Sequence, residues 1–322
     1  MQSQSAMLLN RQVGQMEVDQ TSQHRSATLL MCPPDHFDVT YQINPWMDLD
    51  GWHDERDLWR QRAMAEWTAL KETYERLGHT VLTIAPAHGQ PDMVFMANCA
   101  AVMNGKALLA HFRHPERQGE EPFYRHYFAD LHARGIVKDI AHLPDDMVFE
   151  GNGDAVWDPY RQMFWVGYSQ RTSAAAAAHV GRVLGVEATP LEMVSERYYH
   201  LDVALAPLSG GEVVYLPEAF DADGLADIER RVAPDKRILA SADDAADFAI
   251  NLVNLGQDIV LSGGTSELQD ALHAAGYRLH IVPTPAFQMA GGSIYCLTQQ
   301  LDWKSARQRR AGAVYGRFGR FG

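Results

Sequence analysis

Short apolar runs alternate with amphipathic stretches along most of this chain. Residues 27–31 form one such run and predict a strand. Between Asp54 and Leu77, the side chains Leu58, Met64, Trp67, Leu70, Tyr74 and Leu77 recur at spacings that put most of them on one helical face, and Gly78 ends the helix. Residues 81–85 predict a strand stopped by Pro86. A paired-strand signal follows: residues 93–96 through Val102, the dipeptide Asn104-Gly105, then residues 107–112. Asn-Gly between apolar runs is a strong hairpin signal, because both residues tolerate the positive φ that a tight turn needs.

The same order then recurs. A helix is predicted over 121–134, strands near 147–149 and 163–167, and an alanine-rich helix over 173–184 ended by Gly185. Strands around 201–206 and 213–216 flank the turn Ser209-Gly210-Gly211, and helices follow near 225–232 and 244–255, the second capped by Ser241. The last cycle is a strand at 259–261, a helix at 266–275, a strand at 278–282 and the segment carrying Cys296. Two strands, a helix and another strand thus repeat roughly every 50–60 residues, about five times, which suggests a ring of similar units. An open doubly wound α/β sheet shares the alternation. Its phosphate loop is missing, however: no Gly-x-Gly-x-x-Gly follows the first strand and no Gly-Lys-Ser/Thr occurs. The pair Gly151 and Gly153 is followed by Asp154, whose charge would repel a pyrophosphate.

Composition narrows the class. A chain of 322 residues with 46% hydrophobic content can bury a large core, and no long linker divides it. Residues 1–26 read as a disordered lead-in, residues 27–303 as a single catalytic domain and residues 304–322 as a basic flexible tail. Met7-Leu8-Leu9 is too short for the core of a signal peptide, and no apolar run is long enough to span a membrane. Three cysteines cannot form a disulfide framework and suit a reducing cytoplasm. The net charge of −13 argues against nucleic-acid binding, and gives a cationic substrate a modest long-range attraction. Oligomeric state is left open.

The candidate chemistry is dispersed. Cys296 follows Gly291 and Gly292; taken alone, it reads more readily as an inert thiol than as a nucleophile, because free cysteine is among the most buried residue types. His200 and Asp202 alternate around Leu201 at a predicted strand start, so both would point to one face. Glu150 and Asp154 flank the glycine pair. Each has a plain alternative, a satisfied structural histidine or an acid capping its own turn. His111 and His114 have a metal-site spacing, but no companion ligands complete a set. Together, a thiol, an imidazole and several acids are the parts for nucleophilic attack on an electron-poor carbon. Acids attract a cation, and a guanidinium is planar, permanently charged and pairs bidentately with carboxylates. Arg117 and Arg171 are candidates for the α-carboxylate of such a substrate.

An ordered set of motifs now carries a resemblance. It comprises Cys32-Pro33-Pro34-Asp35-His36-Phe37 leading to Asn44-Pro45-Trp46-Met47, Ala97-Asn98, Pro115-Glu116-Arg117, residues 149–154, Gln170-Arg171-Thr172, residues 200–202, and Gly291-Gly292 leading to Cys296. The chain resembles the guanidine-modifying enzymes of the pentein fold, an α/β five-bladed propeller of ββαβ units with pseudo-five-fold symmetry. The resemblance implies Cys296 as nucleophile, His200 as general acid and base, and Glu150 and Asp202 as the carboxylates gripping the guanidinium. It implies Asn44, Arg117 and Arg171 at the amino-acid end of the substrate, and neither metal nor organic cofactor. At Asn98 typical deiminases carry an aspartate. The amide is more similar to arginine dihydrolases, which carry citrulline through a second hydrolysis. The expectation is therefore an arginine dihydrolase acting on a small molecule, arginine or a methylated arginine. A dimethylarginine dimethylaminohydrolase, a deiminase, an amidinotransferase and a non-catalytic pentein remain alternatives.

Overall fold

The computed structural model describes residues 26–309. The expected disordered lead-in and most of the basic tail fall on residues 1–25 and 310–322, outside the described residues. No strand among the described residues exceeds six residues, so each buries its apolar side chains only by pairing. The strands pair in threes.

Five three-stranded sheets result, with one topology throughout. β3 (Ala100–Met103), β4 (Lys106–Leu109) and β5 (Asp139–Ala141) form one. β6 (Ala155–Asp158), β7 (Met163–Tyr168) and β8 (Glu187–Glu192) form the next. β9 (Leu205–Pro207), β10 (Val213–Tyr215) and β11 (Arg237–Leu239) follow, then β12 (Val253–Leu255), β13 (Asp258–Leu261) and β14 (Arg278–Ile281). In each, the leading strand pairs antiparallel with the second, and the second pairs parallel with the third across a helix. The fifth sheet joins the two ends of the domain. β1 (Thr28–Met31) pairs parallel with β2 (Thr80–Thr83) and antiparallel with β15 (Gln299–Gln300), in the register Leu29 opposite Gln300 and Leu30 opposite Gln299. The C-terminal strand is thus the leading strand of the first blade. This is the expected ring of five ββαβ units, a pentein propeller.

Local chemistry explains the elements. Asn104 and Gly105, at φ 58° and 81°, make the tight turn that joins β3 to β4. Gly185, at φ 70°, caps the helix Ala176–Leu184. Ser241 and Asp244 exchange hydrogen bonds as a capping box on the short helix Ala242–Ala246. The helix Arg56–Arg76 buries Ala63, Trp67, Leu70 and Tyr74, but Leu58 and Met64 face outward at 56% and 37% exposure, so the buried stripe is narrower than expected.

Several other expectations need correction. Residues 93–96 are not a strand: Pro91 opens a 3-10 turn over Pro91–Val94, and a second spans Met96–Cys99. Residues 147–149 contribute only an isolated bridge between Phe149 and His111. The expected helix at 244–255 ends early, because Phe248 adopts φ 52°, and its last three residues form β12. Residues 201–206 begin as a 3-10 turn, Leu201–Val203, before β9. Among the described residues beyond 303, Ser305 N–H donates to Asn104 Oδ1 at 2.9 Å.

One regularity positions the site. Two or three residues before each leading strand, a tight turn presents a buried polar or thiol side chain: Asn98, Asn152, Asp202, Asn251 and Cys296. Three of them touch: Asn251 Nδ2 donates to the Asp202 carbonyl at 3.1 Å and to Cys296 Sγ at 3.2 Å. The blades thus bring these side chains to two cavities, Asn98 and Cys296 lining one, Asn152 and Asp202 the other, with Asn251 in contact with Asp202 and Cys296.

Candidate active site

Cys296 is 2% exposed, at the end of a segment bent by Gly291 at φ 88°. A Cβ on Gly291 would stand 2.7 Å from the Asn44 side chain, and one on Gly292 would stand 2.3 Å from the Phe95 ring. The glycines thus let the thiol segment approach two pocket-lining side chains. The thiol donates to Asp202 Oδ2 at 3.2 Å. Burial, followed by the charge of Asp202, pushes the thiol well above its ordinary value. Burial also brings Asp202 up to about 7, against hydrogen bonds from Cys296 and Asn251 that pull it down. Asp202 Oδ1 is buried without a hydrogen-bond partner among the described residues.

His200 and Asp202 do not share a strand face as expected. They flank Leu201 in a 3-10 turn, and Asp154 holds that turn by accepting from Leu201 N at 3.2 Å. His200 Nε2 instead contacts Glu150 Oε2 at 2.8 Å. Burial disfavours charge on Glu150, but the Arg171 guanidinium at 3.0 Å and the His200 contact hold its carboxyl well below the usual carboxylate range. An ionised carboxylate only accepts, so Nε2 carries the hydrogen and Nδ1 is the basic nitrogen. Nδ1 lies 3.3 Å from where a Cβ on Gly153 would stand, so glycine leaves room there. Burial, aided by the nearby Arg171 and Arg117 cations, lowers His200 to about 4 despite Glu150, and the imidazole is neutral near pH 7. Asp154, the other acid of the glycine pair, accepts from Thr172 Oγ1 at 2.6 Å and serves the scaffold.

Above the thiol a cavity with about 250 Å³ of empty space is lined by Ile43, Asn44, Asp92, Phe95, Asn98, Arg117, Arg171, Tyr199, Ala290 and Cys296. The structure therefore gathers Cys296, Asn44, Asn98, Arg117 and Arg171 around one space, with His200, Glu150 and Asp202 in direct contact with its members. Arg117 is largely occupied: Nε and Nη2 hold Glu120 at 2.8 and 2.9 Å, Nη2 also reaches the Asp92 carbonyl at 3.2 Å, and Nη1 donates to Asn98 Oδ1 at 2.8 Å. That last bond orients the Asn98 amide, whose Nδ2 points toward the Glu150 carbonyl at 3.5 Å. Arg171 donates once to Glu150 and once to the Ile43 carbonyl and stacks 4.6 Å from the Tyr199 ring centre. More of its fork is available than that of Arg117. Asn44 is a loop anchor, donating to the Ala290 carbonyl at 3.1 Å.

Sequence reasoning missed three residues here. Asp92 is 2% exposed, accepts from Tyr41 at 3.0 Å on Oδ2, and leaves Oδ1 unpartnered. Burial raises it to about 6, with Arg117 pulling the other way. It sat unnoticed just before a run read as a strand. Tyr199 adjoins His200 and donates to the Gly291 carbonyl at 2.7 Å. Asn251 contacts the thiol itself, inside a stretch read as helix. On the far side of Asp202 lies a second, larger cavity with about 620 Å³ of empty space, walled mainly by Leu29, Val156, Trp157, Leu205, Ile250 and Val253. Cys296 lines the smaller cavity and Asp202 the larger, so the thiol–carboxylate pair stands between the two.

Residues 34–302 match the family model described as N,N dimethylarginine dimethylhydrolase, eukaryotic. The chain belongs to this family. Among its relatives is the bifunctional arginine dihydrolase/ornithine cyclodeaminase ArgZ of Synechocystis sp., 39% identical over 84% of this chain and 37% of that protein. The chain thus spans little more than a third of that bifunctional relative. The N(G),N(G)-dimethylarginine dimethylaminohydrolase of Mycobacterium tuberculosis is 36% identical over 86% of both chains. The crystal structure of the N-terminal domain of ArgZ bound to product superposes with a TM-score of 0.81 at 38% identity, covering 87% of this chain and 99% of that one. A cysteine-to-serine variant of that domain is known bound to substrate. A dimethylarginine dimethylaminohydrolase of 15% identity and TM-score 0.68 shares the fold. No helix among the described residues of this family member is long and apolar enough to cross a membrane.

Proposed function

We propose that this chain is an arginine dihydrolase, converting arginine through citrulline to ornithine, carbon dioxide and two ammonia. The observation that carries the reading is the Asn98 amide, locked by Arg117 beside a thiol, an imidazole and two buried carboxylates. The substrate's guanidinium sits between Asp202 and Glu150, and its α-carboxylate takes the remaining donors of Arg171. Its α-ammonium takes the unpartnered oxygen of Asp92. Similarity to the dihydrolase domain of ArgZ supports the same assignment.

The chemistry follows from the electrostatics. In the empty cavity the thiol and Asp202 both resist ionisation, because burial penalises charge. A bound guanidinium supplies the missing positive charge and favours both Asp202 carboxylate and Cys296 thiolate. The thiol proton passes to His200 Nδ1, Sγ attacks the guanidinium carbon, and the C–N bond breaks as His200 delivers that proton to the leaving ammonia. His200 Nδ1 then takes a proton from water, whose oxygen attacks the same carbon, and the C–S bond breaks to give citrulline. Citrulline's neutral ureido oxygen accepts from an amide N–H, which an ionised aspartate could not offer. Held by Asn98, it undergoes a second attack and loses its second ammonia. Hydrolysis of the thioester leaves a carbamate, which loses carbon dioxide to give ornithine.

Three free buried cysteines, Cys32, Cys99 and Cys296, support placing the protein in a reducing cytoplasm. Incubation with arginine and quantitation of products tests the reading: about two ammonia per arginine with little citrulline is expected. Citrulline accumulating one-for-one would sink the dihydrolase. Similarity to the mycobacterial dimethylaminohydrolase favours one other substrate, and consumption of dimethylarginine alone would select it.

A further inference from the structure

Asp202 is not the only side chain that handles the thiol. Asn251 is fully buried and meets the cysteine segment through both its main chain and its amide. Its main-chain carbonyl accepts from Tyr295 N at 3.0 Å, and its Oδ1 accepts from Cys296 N at 3.1 Å. Its Nδ2 donates to the Asp202 carbonyl at 3.1 Å and to Cys296 Sγ at 3.2 Å. These partners fix which way the amide points. A main-chain N–H only donates and a main-chain carbonyl only accepts, so a flipped amide would set donor against donor and acceptor against acceptor. An N–H therefore faces the sulfur. The thiol's own hydrogen goes to Asp202 Oδ2, on a separate bond. When that proton leaves, the sulfur keeps a ready N–H donor with no rearrangement. The Asn251 contact and the main chain at Ser293 both act to lower the thiol pKa against burial and Asp202.

We propose that Asn251 is a catalytic residue of this enzyme, whose side-chain N–H stabilises the Cys296 thiolate. The inference rests on the thiol chemistry proposed above. The donor acts at two moments: when the S–H proton passes to His200 and Sγ forms the C–S bond, and when water, giving a proton to His200, breaks that bond and the electron pair returns to sulfur. A preorganised donor aimed at a developing negative charge contributes at each.

Asn251→Asp keeps the size and the acceptor for Cys296 N–H but turns the donor into an oxygen. Alkylation of Cys296 by iodoacetamide, followed by mass spectrometry across pH, reads the thiolate midpoint. The expected result is a midpoint at least about one pH unit higher, and kcat/KM for arginine down by about 10- to 100-fold, as for loss of a hydrogen bond to a charged group. Arginine affinity in a Cys296→Ser background stays unchanged on adding Asn251→Asp. An unchanged midpoint in a folded variant, or a loss confined to arginine affinity, overturns the proposal. Should Asn251→Asp fail to fold, Asn251→Ser, which also lacks the amide, is read the same way. Substantial turnover by Cys296→Ser alone would instead overturn the thiol mechanism, so the two failures are distinguishable.

Discussion

Glu150 and Asp202 are both fully buried carboxylates, yet their surroundings push them apart. Glu150 has Arg171 and His200 beside it and stays ionised, whereas Asp202 meets no cation and rises to about 7. In the unfolded chain an aspartate titrates near its ordinary value of about 3.9, so between about pH 4 and 7 the unfolded state binds fewer protons at this position. Folding stability is therefore lost as pH rises through that window, and the full cost is present above pH 7. Asp202→Asn is expected to abolish turnover yet stabilise the fold at pH 8, on the order of 2 kcal/mol, with no gain at pH 4. Urea melts at both values check this, and an equal effect at each would count against it. At Asn98 the expected change concerns product. Asn98→Asp keeps an acceptor for Arg117 but puts an oxygen where Nδ2 now lies, so citrulline should escape and its share of product should rise. An unchanged ratio of citrulline to ornithine would remove the reason for choosing the dihydrolase. Residue types alone made Cys296, His200, Glu150, Asp202 and the two arginines legible as candidates, whereas Asn98 was legible only through the family resemblance. Asp92 and Asn251 were not, because neither stands beside another chemistry-bearing residue in the chain.

The elements most legible in the sequence were those with a long period or a specific turn. Trp67, Leu70 and Tyr74 announce the helix Arg56–Arg76, and Asn104-Gly105 announces the β3–β4 turn. Strands of three residues such as β5 and β11 offer too short a pattern to read. The 3-10 turns that place Asn98 and Asp202 were read as strand for a related reason: a buried turn is as apolar as a buried strand. The segment before β15 shows how closely such turns are packed. Gly292 sits against Phe95, which also lines the cavity, so Gly292→Ala must displace either the ring or the thiol segment. A cost of about 1–3 kcal/mol in stability is expected, as for overpacking, together with a higher KM for arginine. Thermal melts and steady-state kinetics on the one variant measure both, and wild-type values for each would show that the contact relaxes freely.

At the scale of the whole molecule, the recurrence of strand, strand, helix and strand was legible because every blade repeats it; how the ring closes was not. Closure depends on β15, a strand of two residues pairing with β1 from the other end of the domain. Nothing in so short a polar pair, Gln299-Gln300, marks a strand. Yet this strand does two jobs. It completes the first blade, covering the β1 edge that would otherwise expose unpaired N–H and carbonyl groups. It also anchors the turn from which Cys296 projects, three residues upstream, in the place that Asn98, Asn152, Asp202 and Asn251 occupy in the other blades. A chain ending at Thr298 keeps the thiol, the histidine and every acid of the site, but opens the ring. It is expected to lose turnover while the unfolding transition broadens and shifts to lower urea, because the first blade no longer unfolds with the other four. Tryptophan fluorescence and activity followed on one urea titration test this. A truncated chain that melts as sharply as the full one, at the same midpoint, would show that the ring holds without its closing strand.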